Sequence, residues 1–197
     1  MAIALPEIAS MEVKLLPRKL SVNYTELMDH VDRIQEQWHR EMPEADLSGQ
    51  SVVARVHRLA NHLTHEITQT YKQFGLTEGE FDILCALRRQ GAPFQARPAT
   101  IAQTTMVTTG GTSKRLDRLE TAGYIERITN PDGDGRSKIA RLTPQGLDLI
   151  NRAFNAHVDN EKRLVEELSI SDRANLERVL KTWLTHFEKE EPHAHHS

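Results

Sequence analysis

Apolar residues recur at steps of three and four through most of this chain, the spacing that puts them on one face of a helix. Tyr24, Leu27, Val31, Ile34 and Trp38 predict a helix over about 23–41, and Glu41 to Ser48, with Pro43, reads as a break. Val52, Val56, Leu59, Leu63, Ile67, Tyr71 and Phe74 predict a long helix closed by Gly75, a residue suited to the left-handed turn that ends helices. Thr77 and Glu80 have the spacing of a capping box. They open a helix with Phe81, Leu84 and Leu87 inward, which stops at Gln90-Gly91-Ala92-Pro93. Far downstream, Thr143-Pro144 is a cap followed by proline at the first helical position. Leu147, Ile150, Phe154, Val158, Val165 and Leu168 then mark one long stripe. Ser171 is expected to cap a last helix whose inner face is Leu176, Leu180, Trp183 and Phe187.

Between these helices the pattern changes. Residues of about 98–105 and 109–122 predict two shorter helices joined by a turn. Two short strands follow, flanking the tip Asn130-Pro131-Asp132-Gly133-Asp134-Gly135-Arg136-Ser137. A helix-turn-helix followed by a wing is a device for reading duplex DNA. The second helix begins with hydroxyls at Thr108, Thr109, Thr112 and Ser113, which suit phosphate and base-edge contacts. Thr108, Thr109, Ser113 and Lys114 are expected to face the bases. Arg118, one turn on, is expected to reach phosphate, and Lys138, just past the tip, is also expected to contact DNA. Arg136, the lone arginine in the tip, suits a narrow minor groove. Thr108 or Thr109 could equally cap the helix, and Lys114 could be a surface charge. Gly110-Gly111 cost helix propensity and permit close approach to the DNA backbone.

The net charge of −3 argues against a DNA binder until its distribution is read. Residues 88–141 hold ten Lys/Arg against five Asp/Glu, whereas 142–197 hold seven against ten. Positive charge therefore gathers where the DNA face is expected, and phosphate neutralisation is local. The 197 residues suffice for one domain with a real core. No run of about 18 apolar residues is present, so no membrane span is expected. The single cysteine, Cys85, excludes an intrachain disulfide and fits a reducing cytoplasm. Residues 1–22 read as a flexible arm, since no basic start precedes an apolar run. Residues 191–197, rich in histidine, read as a disordered tail rather than a metal site. His57, His62 and His65 share a helix but lack further ligands.

Several of these stretches together resemble the MarR family of bacterial winged-helix regulators. The carrying residues are Ser113-Lys114-Arg115-Leu116-Asp117-Arg118-Leu119-Glu120, the exit Ala122-Gly123-Tyr124-Ile125, the wing Asp134-Gly135-Arg136-Ser137, and Leu142-Thr143-Pro144-Gln145-Gly146. The resemblance extends over about 24–190. It implies a homodimer that represses nearby genes and releases DNA when a small ligand binds. The expected fold is mainly α with a small β wing: a winged helix-turn-helix at about 76–142 with dimerisation helices at about 23–75 and 143–190. The terminal helices carry more apolar surface than one winged-helix core could bury. A two-fold dimer would match a pseudo-palindromic operator.

A second constellation is similar to the urate-responsive, PecS-type branch of that family. The resemblance implies a ligand site of Trp38 on an extra N-terminal helix, Asp82, Arg115 on the reading helix and Arg127 near the wing. The residue types suit an anionic, planar purine: arginine forks, an aromatic face and an acceptor for ring N–H groups. Each has a plainer reading. Trp38 is in register with Val31 and Ile34 and could be dimer core. Asp82 and Arg115 could form a structural salt bridge, and Arg127 could contact phosphate. Phenolic carboxylates would be served by the same residue types. Cys85 could be a redox switch, or a buried inert thiol with no second cysteine to resolve it. No nucleophile–base arrangement or phosphate-cradling loop is evident, so neither an enzyme nor a cofactor is expected. An enzyme using a winged helix only to dimerise would need a catalytic domain, and the fewer than sixty residues after the wing all read as dimer helices.

Overall fold

The structure is a computed structural model that describes residues 28–105, 111–129 and 138–190. The chain divides into two compact units, Met1–Ala54 with Glu166–Ser197, and Arg55–Val165. The element order is α1 (His30–Glu41), α2 (Ser48–Lys72), α3 (Glu78–Arg89), β1 (Gln95–Ala96), α4 (Pro98–Thr104), α5 (Thr112–Thr121), β2 (Ile125–Thr129), β3 (Lys138–Leu142), α6 (Pro144–Leu164) and α7 (Ile170–Glu190). Among the described residues no helix is long and apolar enough to cross a membrane.

In the Arg55–Val165 unit, α3 is the central element. Its residues Gly79–Leu87 are buried without interruption, so it has no solvent face over most of its length. Ile83, Leu84 and Leu87 meet Ile101 of α4, Leu116 and Leu119 of α5, Ile125 of β2 and Leu149, Ile150 and Ala153 of α6 in one core. Tyr71, near the end of α2, stacks on Phe81 with ring centroids 4.0 Å apart. The core thus extends past 76–142 at both ends, because the last turns of α2 and the first half of α6 complete it.

The Thr77–Glu80 capping box forms as its spacing requires. Thr77 N donates to Glu80 Oε2 at 2.9 Å, and Glu80 N donates to Thr77 Oγ1 at 3.4 Å. Gly75, at φ +71°, turns the chain out of α2. Three strands form an antiparallel sheet in the order β1-β3-β2, with Ile125 opposite Leu142 and Thr129 opposite Lys138. The third strand, β1, is unexpected from the sequence. It is two residues long, too short for any alternation to announce it, and exists by pairing with β3.

The reading helix α5 starts at Thr112, later than the expected 109. Gly111 precedes it at φ +88°, a left-handed conformation that glycine adopts without strain. At the start of α6, Thr143 Oγ1 accepts from Gly146 N at 3.0 Å and donates to Gly123 O at 2.7 Å. Gly146 lies so close to the Tyr124 carbonyl that a side chain there would collide with it.

The stripe through Val165 and Leu168 does not continue α6, which stops at Leu164. The cap of α7 is Ser169, not the expected Ser171. Ser169 Oγ accepts from Asp172 N at 3.1 Å and donates to Asp172 Oδ2 at 2.6 Å. The reason is spacing: three residues after Ser169 stands an acid, whereas three after Ser171 stands Ala174.

In the other unit, α1 begins at His30, not near 23. Asp29 Oδ1 accepts from Val31 N and Asp32 N, and Asp32 Oδ2 accepts from Asp29 N, forming a second capping box. Residues 1–27, including Tyr24 and Leu27, lie outside the described residues. Val31 is the only buried residue among the described ones of this unit. Leu176, Leu180 and Phe187, expected on an inner face of α7, are exposed in the single chain.

Candidate nucleic-acid interface

The helix-turn-helix is α4 and α5, and β2 with β3 forms the flanking hairpin. Ser113 and Lys114 sit exposed in the first turn of α5, and Lys138 is exposed at the start of β3. Thr108, Thr109 and Arg136 lie outside the described residues. Leu116 and Leu119 anchor the opposite face of α5 in the core.

Three arginines determine how α5 is held. Arg118 Nε lies 3.1 Å from Glu80 Oε1, so the side chain expected at the DNA backbone is engaged by a carboxylate that is only 4% exposed. Arg127, on β2, reaches α5 with Nη2 2.6 Å from Asp117 Oδ1 and Nη1 3.6 Å from Glu120 Oε2. It also donates to the Ser113 carbonyl at 3.4 Å. Arg115 lies along Gly79 of α3, where any side chain on residue 79 would strike its guanidinium. The reading helix is therefore tied to α3 on one side and to the sheet on the other.

The candidate ligand residues fall in different places. Arg115 lines a cavity of about 420 Å³ with Thr77, Gly79, Gly111, Lys114 and Arg118. Arg127 lines a separate one of about 300 Å³ with Pro98, Ser113, Asp117, Lys138 and Ile139. Asp82 is buried on α3 and lines neither. Trp38 belongs to the other compact unit, where it is 43% exposed. The structure thus does not gather Arg115 and Arg127 into one pocket.

Glu80, Gly79 and Asp117 are the functional neighbours that sequence reasoning missed. The capping spacing of Glu80 was visible, but one carboxylate has two oxygens, and only the fold shows that the second faces Arg118. Cys85 is buried, and its thiol is pushed up to about 12. Burial is the main cause; the positive charge of Arg89 opposes it and the negative charge of Asp82 adds to it. A thiol held protonated lacks the thiolate on which redox sensing depends.

A sequence profile of the MarR family matches residues 74–137. The HTH-type transcriptional regulator PecS of Dickeya dadantii is 34% identical over 150 residues, covering 76% of this chain and 90% of that protein. The chain belongs to the MarR family. Its mainly helical architecture with a small antiparallel sheet is that of solved family members. AbsC, a MarR family transcriptional regulator from Streptomyces coelicolor, superposes with a TM-score of 0.63 at 26% identity, over 74% of this chain and 99% of that one. A mutant MarR from E. coli, complexed with operator DNA, gives a TM-score of 0.59 at 24% identity, over 71% and 99%. The relatives are transcriptional regulators, not enzymes, and this chain is a DNA-binding member of their family.

Proposed function

We propose that this MarR-family regulator is a cytoplasmic homodimeric repressor that binds a pseudo-palindromic operator. A small anionic aromatic ligand, urate or a related purine, releases it. Support for the dimer comes from the terminal helices. Among its described residues this unit has one that is buried, while Leu176, Val179, Leu180, Leu184 and Phe187 are exposed, an apolar surface suited to a partner. A two-fold pair would set its reading helices about 34 Å apart, one DNA turn.

The observation that carries the ligand response is that both candidate arginines also fix the pose of α5. Arg115 packs along Gly79, and Arg127 bridges to Asp117 and Glu120. An anion that claims either guanidinium draws it away from the contacts that orient the reading helix. A tenfold loss of DNA affinity needs only ~1.4 kcal/mol of differential binding. The likeness to PecS favours the urate-responsive branch that Trp38, Asp82, Arg115 and Arg127 resemble. The placement of Arg115 and Arg127 on separate cavities favours a second reading, a phenolic carboxylate that needs only one arginine. DNA contacts are assigned to Thr108, Thr109, Ser113, Lys114, Arg118, Arg136 and Lys138.

Trp38→Phe and Asp82→Asn test the site. Both variants should bind DNA as the wild type does and need several-fold more urate for release. Normal urate release from both would remove these residues from the site and leave the regulator intact.

A further inference from the structure

Phe94 stands in the turn between α3 and β1 at φ +58°, the left-handed region that residues other than glycine rarely enter. Such a conformation persists only where its surroundings hold it. Three contacts do so. Phe94 N donates to the Gly91 carbonyl at 2.6 Å, and the ring packs against the hydrophobic core. The guanidinium of Arg88 stands 4.9 Å over that ring, inside the ~6 Å reach of a cation–π contact. Arg88 is fixed in turn from α6, where its Nε donates to Asn151 Oδ1 at 3.0 Å.

Phe94 is the root of β1. Its carbonyl accepts from Leu142 N at 3.0 Å, and Gln95 and Ala96 then pair with Arg141 and Ala140. The strand β3 is thereby flanked on both sides, by β1 and by β2. A two-stranded ribbon alone is only marginally stable, and a third strand gives it a fixed pose. Here the third strand is two residues long, too short to hold itself, and its anchor is Phe94. Lys138 begins β3 two residues before Ala140, about 7 Å along the strand.

We infer that Arg88 is a positioning residue for DNA binding: by holding the Phe94 ring it fixes β1, and through β1 the strand that presents Lys138. Arg88 touches no DNA in this role, which depends on the assignment of Lys138 to the DNA. The role uses none of Trp38, Asp82, Arg115 or Arg127, so it is independent of the ligand response.

A double-mutant cycle on the full chain tests it. The probe is a labelled duplex selected by the wild-type protein from a random-sequence pool, followed by fluorescence anisotropy over a range of salt. Arg88→Gln should lower affinity about fivefold and reduce the slope of log affinity against log salt by about one or less, because Lys138 loses its phosphate. Arg88→Lys keeps a cation over the ring and should recover most of the loss, whereas Phe94→Leu removes the ring and should reproduce it. In a Lys138→Gln background Arg88→Gln should cost less than about twofold further. Asn151→Ala, an exposed change on α6, releases the guanidinium and should lower affinity in the same direction; it keeps the test valid if Arg88→Gln misfolds. A merely structural role would lower the urea midpoint and leave affinity and slope alone. Unchanged affinity and slope in Arg88→Gln and Asn151→Ala would overturn the proposal, as would a loss that adds in full to that of Lys138→Gln. Wild-type affinity in Lys138→Gln alone would also overturn it, by removing Lys138 from the interface, and would leave α5 as the reading element.

Discussion

Glu80 and Arg118 join α3 to the reading helix through a carboxylate that does two jobs. One oxygen lies 3.1 Å from Arg118 Nε, and the other accepts from Thr77 N at 2.9 Å and Thr77 Oγ1 at 2.7 Å. The N-terminus of α3 and the pose of α5 therefore depend on the same side chain.

Glu80→Ala should remove both roles. Loss of the Glu80 half of the capping box leaves Thr77 N without its acceptor and costs about 1 kcal/mol, and α5 loses a tether as well. Urea denaturation should show a lower midpoint, and DNA affinity should fall. Glu80→Gln keeps an acceptor for Thr77 but loses the charge, so its midpoint should fall less while DNA affinity still drops. An unchanged midpoint and affinity in Glu80→Ala would show that the contact carries no weight.

That dependence marks how far the sequence could be read. The Thr77–Glu80 spacing, the Thr143-Pro144 cap and the Gly75 stop were all legible, because each is a local rule acting over three or four residues. The partner of Arg118 was not, because it lies 38 positions away and no periodicity encodes it. The two-residue β1 was invisible for the same reason: it exists only through β3. At α7 two candidates compete locally. Ser169 and Ser171 both carry a capping hydroxyl, and the acid at 172 selects Ser169. The apolar stripe continues past Leu164 but the helix does not, because Val165 is its C-cap. In the single chain Val165 is exposed.

Leu180 and Phe187 provide a direct test of the dimer. Both are exposed in the single chain, so changing them removes no intrachain core. Leu180→Glu/Phe187→Glu should yield monomer or a much weaker dimer in analytical ultracentrifugation, while the helical signal is retained. An obligate interface is expected to bury about 2,000 Å² or more, largely apolar, and two charges at it are costly. DNA affinity should fall steeply with the lost bivalence. A wild-type dimer mass in this variant would place dimerisation elsewhere.

Cys85 should be inert. Its thiol ordinarily titrates near 9 and is pushed up to about 12 in the fold. At about pH 8 the folded protein should resist iodoacetamide, and the urea-unfolded chain should react. Because the native pKa is raised, the thiol's contribution to stability is complete below about 9 and is lost as pH rises toward about 12. Peroxide should leave DNA binding unchanged. Rapid alkylation of the folded protein would restore the redox reading.

Arg136, outside the described residues, is assigned to the DNA by its place in the wing tip sequence. Arg136→Ala should weaken binding to all duplexes and lower the slope of log affinity against log salt by about one or less. The dimer should be intact. An unchanged affinity and slope would remove the wing from the mechanism.

One titration decides which ligand releases the DNA. DNA from the region upstream of the regulator's own gene is labelled, bound by the wild-type protein, and followed by fluorescence anisotropy. Urate, a phenolic carboxylate and peroxide are then added in separate runs. Urate should release the DNA at the lowest concentration, with at least about a tenfold loss of affinity at saturation, and peroxide should release none. Full retention of DNA at saturating urate, with release by the phenolic acid, would contradict the urate reading and assign the switch to a carboxylate.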